Sequence, residues 1–299
     1  MTPELFHGDF ADVIPDLRMN RVKVDAVVCD PPYNLESIMK RFGKADCAPA
    51  GEMDDGAFGR YSDKFIGQTW DDDVAFRAET WRTIASILQP GGFVFAFASP
   101  MTGHRQAMAM ETAGLKMFPF WGWAYSSGGP KPHPLGDGFY HGTATMRTAL
   151  EPIYVAQKPI SEKTMAANFL KHAVGAFDIV TMKEAMKAEK WPTTLILDGS
   201  DEVNALFPDP ATYSRILPHS KANATDRAGG NHPTVKPIGL LRLIIAAVTP
   251  PDGIVLDPFA GSGTTGEAAR LEGRSSILIE RDDAYFAALK RRFSRRSII

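Results

Sequence analysis

The sequence predicts an α/β fold: a doubly wound, mostly parallel sheet with helices on both faces. Three observations predict it. Short apolar runs alternate with longer segments of helical spacing, as consecutive βα units do. Two of the runs end on an acid followed by proline, at Asp30-Pro31 and Asp257-Pro258. The second of these leads into Gly261-Ser262-Gly263-Thr264-Thr265-Gly266 and then Glu267-Ala268-Ala269-Arg270-Leu271. That order, strand, glycine-rich turn and helix, is the layout of a nucleotide-binding loop.

Taken in order, strands are expected at 4–6, 24–29, 93–98, 119–125, 152–156, 254–257 and 276–280. Helices are expected at 75–88, 102–113, 238–248, 264–272 and 282–296. Val24-Asp25-Ala26-Val27-Val28-Cys29 is an apolar run of strand length, and Cys29 at its end reads as a small core residue. Trp121, Trp123 and Tyr125 alternate along their strand, so one face of it is core. The helix from Ile238 follows Pro237 and stops before Pro250-Pro251. The strand after the glycine loop, Ser276-Ile277-Leu278-Ile279, ends on Glu280.

Two stretches break the alternation. Residues 36–74 hold five glycines and many charges and end in Asp71-Asp72-Asp73, which reads as a mobile loop within the core that orders over substrate, the alternative being plain disorder. Across 157–230 no α/β repeat can be followed, and 158–230 carries nine Lys/Arg against nine Asp/Glu. There, Thr181 to Lys190 has the spacing of an exposed helix with paired charges, and Trp191 reads by default as apolar packing.

Composition narrows the class. A chain of 299 residues with 44% apolar and 23% charged residues has room for a large core. No apolar run reaches the length of a membrane span, and the N-terminus lacks the features of a secretion signal. Two cysteines, Cys29 and Cys47, are too few for a disulfide framework or a structural zinc site, and they suit the cytoplasm. The net charge of −2 does not advertise nucleic-acid binding. Lys290, Arg291, Arg292, Arg295 and Arg296 either touch phosphates or complement the dipole of the last helix.

The chemistry sits in Asp30-Pro31-Pro32-Tyr33. Prolines lack N–H groups, so main-chain carbonyls here remain available as acceptors beside a carboxylate and a flat ring. Such a set suits the exocyclic amine of a nucleobase. In a doubly wound sheet, ligands bind beyond the carboxyl ends of the strands where strand order reverses. The strands ending at Asp30 and Asp257 are expected to be neighbours there.

Asp30-Pro31-Pro32-Tyr33, His232-Pro233-Thr234-Val235-Lys236-Pro237 and Asp257-Pro258-Phe259-Ala260-Gly261-Ser262-Gly263-Thr264-Thr265, in that order, resemble the DNA amino-methyltransferases of the N6-adenine/N4-cytosine type. The order resembles their circularly permuted β group, and His7-Gly8-Asp9-Phe10 and Leu88-Gln89-Pro90-Gly91-Gly92 are similar too. The resemblance implies an S-adenosylmethionine-dependent methyltransferase (Rossmann-like) fold with one antiparallel edge strand and an inserted recognition region. Its core would be 1–156 and 231–299, and 157–230 would read the target, with Trp191, Tyr213 and Arg215 as base contacts.

It further implies methyl transfer from S-adenosylmethionine, without a metal, to adenine N6 in DNA. The base would be flipped out of the stack, and a homodimer is compatible with the group. Asp30 and the Pro31 carbonyl would accept the amine's N–H bonds, Pro32 would stiffen the loop, and Tyr33 would stack on the base, flanked by one of the rings on 119–125. The donor would be held by the backbone around Asp257, Phe259, Gly261 and Gly263, with Thr264 and Thr265. Glu280 would take its ribose and Asp9 its adenine amine, Thr234 and Lys236 would lie at its carboxylate, and Asp30 would also border the donor. Asp at position 30 favours adenine, because Ser stands there more often in the cytosine-N4 group. The alternatives are a cytosine-N4 methyltransferase, a non-catalytic DNA-binding protein on the same fold, and, from the glycine loop alone, a nicotinamide-dependent oxidoreductase.

Overall fold

A computed structural model describes residues 3–32, 51–52, 58–59, 73–126, 130, 132–142, 145–186, 191–206, 214–215 and 235–294. Its strands are β1 (Glu4–His7), β2 (Val24–Cys29), β3 (Gly51–Glu52), β4 (Phe58–Gly59), β5 (Leu88–Phe97), β6 (Lys116–Met117), β7 (Trp121–Ala124), β8 (His133–Gly136), β9 (Phe139–His141), β10 (Leu150–Gln157), β11 (Leu195–Leu197), β12 (Ser214–Arg215), β13 (Ile254–Asp257) and β14 (Ser275–Glu280). The helices are α1 (Phe10–Met19), α2 (Ala78–Ile87), α3 (Gly103–Thr112), α4 (Met165–His172), α5 (Ile179–Met186), α6 (Asp201–Asn204), α7 (Ile238–Val248), α8 (Thr264–Leu271) and α9 (Asp283–Ser294). None of the described helices is long and apolar enough to cross a membrane.

Two compact units emerge. One comprises Met1–Pro31, Ala75–Ser127 and Ala149–Ile299; the other comprises Pro32–Val74 and Gly128–Thr148. In the smaller unit β3 pairs with β4 and β8 with β9, both antiparallel. The expected mobile loop at 36–74 lies almost entirely outside the described residues.

The larger unit is built on one sheet in the order β1-β14-β13-β2-β5-β10-β7-β11-β12, with β6 added beside β10. β1, β14, β13, β2 and β5 are parallel. From β13 the chain passes to β14 on one side, and from β2 it passes to β5 on the other, so strand order reverses between β13 and β2. Their register pairs Val255 with Ala26 and Leu256 with Val27. The Ile254 amide donates to Asp25 Oδ2 at 2.7 Å and pins the start of the pair. The carboxyl ends of both strands therefore open on the same crevice.

The core follows from the apolar runs. β2 is buried along almost its whole length, and Phe93, Phe95 and Phe97 of β5 are fully enclosed. Trp121, Trp123 and Tyr125 are all buried, as their alternation requires. α7 buries eight residues, which its apolar composition anticipates.

Three features differ from the sequence expectations. The antiparallel strand is β10, and it lies inside the sheet because β7 covers its other side. α1 is a helix despite Pro15 at its centre: Asp9 caps it, and Phe10, Ile14 and Leu17 form a buried stripe. The region 157–230 is joined to the core. Buried Asn168 of α4 donates to Pro90 O at 2.9 Å, and Gln157 donates to Gly91 O at 2.9 Å. β11 then pairs parallel with β7, and Asp198 just beyond it accepts from the Ser126 amide at 3.0 Å.

Candidate active site at the carboxyl ends of β2 and β13

β2 delivers Asp30 to the crevice, with Pro31 buried behind it and Pro32 half-buried. Lys236 arrives from the turn before α7, whose N-cap is Pro237. Its Nζ stands 3.0 Å from Asp30 Oδ2 and 2.8 Å from Glu151 Oε1, and 5.1 Å from the centre of the Phe97 ring. Its side chain is only 8% exposed. Burial by itself would lower the pKa of this lysine, but the charges of Asp30 and Glu151 outweigh it and hold the ammonium above its ordinary value. Tyr33, Thr234, Tyr213 and His232 lie outside the described residues.

Lys236 thus stands between two protein carboxylates, those of Asp30 and Glu151. Glu151 is the residue that sequence reasoning missed. β10 runs antiparallel, so its first residues reach the crevice where the parallel strands end. The available signal was an acid opening an otherwise apolar strand, Glu151-Pro152-Ile153-Tyr154-Val155-Ala156.

On the β13 side, buried Asp257 accepts from the Phe259 amide at 3.0 Å and from the Thr265 side chain. Burial pushes its carboxyl up from 3.8 to about 7, the neighbouring Asp30 and Glu280 adding to the rise, while its two hydrogen bonds oppose it. Glu280, at the tip of β14, accepts from the Gly261 amide at 2.7 Å and the Asp282 amide at 2.8 Å. Its carboxyl is also raised, chiefly by burial. These bonds tie the glycine loop to β14.

The Gly8 amide donates to Glu280 O at 3.0 Å and brings Asp9 to the same end of the sheet. There Asp9 Oδ1 accepts from the Ala11 amide at 2.9 Å, and Oδ2 lies 3.6 Å from Arg281. The Phe259 ring meets Phe10 edge-on at 5.3 Å. Gly261 and Gly263 both take positive φ, 50° and 77°. Thr264 and Thr265 are buried in the first turn of α8. Arg292 of α9 donates to Ser262 O at 2.9 Å, so one member of the basic C-terminal cluster clamps this loop. Cys29 is 1% exposed and its thiol is pushed up by burial, consistent with a core role. Trp191, by contrast, is 70% exposed, with Lys183 Nζ 5.3 Å from its ring centre.

The raised Asp257 carboxyl gives a pH dependence. Its folded value, about 7, exceeds the ordinary 3.8, so between those values the folded state binds more protons than the unfolded one. Stability from this group is therefore full below about pH 4 and is lost as pH rises to about 7. Asp257→Asn keeps an acceptor for the Phe259 amide without the charge. It is expected to raise the thermal midpoint at pH 8 and to flatten its fall between pH 4 and 7, read by scanning fluorimetry across pH.

A glycine loop with left-handed backbone at Gly261 and Gly263 and a buried carboxylate at the adjacent strand tip fits a nucleoside with its ribose hydroxyls. A family model described as DNA methylase matches residues 24–291. The Type II methyltransferase M.HindIII of Haemophilus influenzae is 29% identical over 214 residues, which cover 67% of this chain and 62% of that protein. The Type II methyltransferase M2.DpnII of Streptococcus pneumoniae is 25% identical over 277 residues, 92% of this chain and 84% of that one. Among solved structures, the M1.HpyAVI–SAM complex superposes with a TM-score of 0.55 at 23% identity, covering 97% of this chain and 98% of that one. At that identity the likeness shows the fold.

Proposed function

Because the chain belongs to the DNA methylase family, we propose that it transfers a methyl group from S-adenosylmethionine to the N6 amine of adenine in DNA. The observation that carries this reading is the pairing of β13 with β2, which sets the acid of the glycine loop and the acid of Asp30-Pro31-Pro32-Tyr33 side by side. The match to 62% of M.HindIII and 84% of M2.DpnII supports it.

S-adenosylmethionine supplies an electrophilic methyl group when bound. On the donor side, Gly261, Gly263 and Phe259 lend the close-approaching backbone, Thr264 and Thr265 the first turn of α8, and Asp257 the fixed base of the loop. Glu280 takes the ribose hydroxyls, and Asp9 the donor's adenine amine. Thr234 and Lys236 serve the donor's carboxylate, and Lys236 also pairs with Asp30.

On the acceptor side, Asp30 and the Pro31 carbonyl accept the two N–H bonds of the base amine and localise its lone pair. Tyr33 stacks on the flipped base, worth about 1–3 kcal/mol. Positioning and charge stabilisation then carry the rate. Asp at position 30 supports adenine over cytosine. Residues 157–230 act as the target-recognition region. Within it, Trp191 and the adjacent Lys183 ammonium offer a flat ring and a positive charge to nucleic acid.

The test incubates the purified protein with duplex DNA and methyl-labelled S-adenosylmethionine, followed by nucleoside mass spectrometry. Label in N6-methyldeoxyadenosine is the expected result. Label in N4-methyldeoxycytidine would keep the chemistry and overturn the base, and no label in any nucleoside would overturn the reading.

A further inference from the structure

Lys236 raises an electrostatic difficulty for the reaction just described. Methyl transfer forms an N–C bond as the C–S bond breaks, the electron pair returning to sulfur. The positive charge thus passes from sulfur to the amine nitrogen, which keeps it until a proton leaves. Asp30 must face that charge as an anion, yet a buried ammonium sits 3.0 Å from its Oδ2. Left uncompensated, such a neighbour would cancel much of the field Asp30 exerts, because burial weakens solvent screening.

Glu151 stands 2.8 Å from the same Nζ, with its side chain 15% exposed. Around the ammonium are Asp30 at the end of β2, Glu151 at the start of β10, Tyr125 after β7 and the Phe97 ring of β5. Among the described residues, Asp30, Glu151 and Lys236 together carry one net negative charge. We propose that Glu151 is a positioning and charge-balancing residue for methyl transfer: it holds Lys236 on Asp30 Oδ2 and offsets the ammonium, so that the acceptor site keeps one net negative charge. This inference rests on the methyltransferase reading and adds a residue to it.

The test uses charge restoration. Glu151→Gln keeps shape and a hydrogen-bond acceptor but leaves the cluster neutral. It is expected to lower kcat roughly 10- to 100-fold, with the donor Kd from calorimetry changed by less than about twofold. The double variant Glu151→Gln/Lys236→Met removes both charges and returns the cluster to one net negative charge. It is expected to regain at least about tenfold in kcat over the single variant, which a purely structural role does not predict. Wild-type kcat in Glu151→Gln, or a double variant no faster than the single one, would overturn the proposal.

Should Glu151→Gln alone fail to fold, the double variant carries the test, because it holds no uncompensated ammonium. Folded by circular dichroism and methylating within about tenfold of wild type, it supports the proposal; folded and inactive, it overturns it. A wild-type protein that methylates no nucleoside would refute the methyltransferase reading itself, a result distinct from either of these.

Discussion

Asp30→Ala is expected to lower kcat for DNA methylation by roughly a thousandfold, because it removes the charged acceptor of the amine's N–H bonds where positive charge develops. The fold should survive. Lys236 loses Asp30 but keeps Glu151 at 2.8 Å, so its ammonium is not left alone in the core. The expected cost in stability is about 1–3 kcal/mol. Labelled methyl counted per nucleoside, beside a urea denaturation curve, separates the two effects. A variant that methylates at the wild-type rate would remove Asp30 from the chemistry.

Gly263→Ala should produce a large loss of stability for one added methyl group. The residue sits at φ 77°, and a Cβ there would come within 2.4 Å of Leu289 Cδ1 and 3.0 Å of Phe293 Cε2. Both neighbours belong to the buried cluster of Ala260, Leu278, Phe286, Leu289 and Phe293 that seats α9 on the loop. Backbone strain and overpacking together predict a loss of about 2–4 kcal/mol by urea denaturation. Gly114 is the control. Its φ is +92° but nothing lies within 4 Å of an added Cβ, so Gly114→Ala should cost only the strain, about 1–2 kcal/mol. Equal losses in the two variants would show that packing on α9 is not what Gly263 serves.

How much of this was legible in the sequence depended on how local the cause was. β2, β13 and α7 match their expected bounds because each is an apolar run closed by proline or by an acid-proline pair. The adjacency of Asp30 and Asp257 followed from the topology that alternating strands and helices impose. α1 was hidden because Pro15 reads as a breaker, although its buried stripe and the cap from Asp9 outweigh one lost hydrogen bond. β11 was hidden by its length of three residues, too short for a period to emerge. The acid that opens β10 was the one local sign of Glu151, but its meeting with Lys236 depends on an antiparallel strand running among parallel ones, which local pattern does not encode. Trp191 shows the limit of composition: a large ring reads as core by default, yet here it faces solvent.

The pairing of β1 with β14 has a consequence for synthesis. Glu4 to His7 find their partners in Ile277 to Glu280, which are synthesised long after them. Until those arrive, β1 and the helix behind it have no sheet to join, and β2 lacks its β13 neighbour. The nascent chain can assemble β2, β5, β10 and β7 early, but its other half must wait for β13 and β14. Such late, long-range closure is slow and leaves apolar strand edges exposed to other chains. The glycine loop is thus completed well after β2, and a ribosome stalled before β13 would carry Asp30 without the loop that faces it.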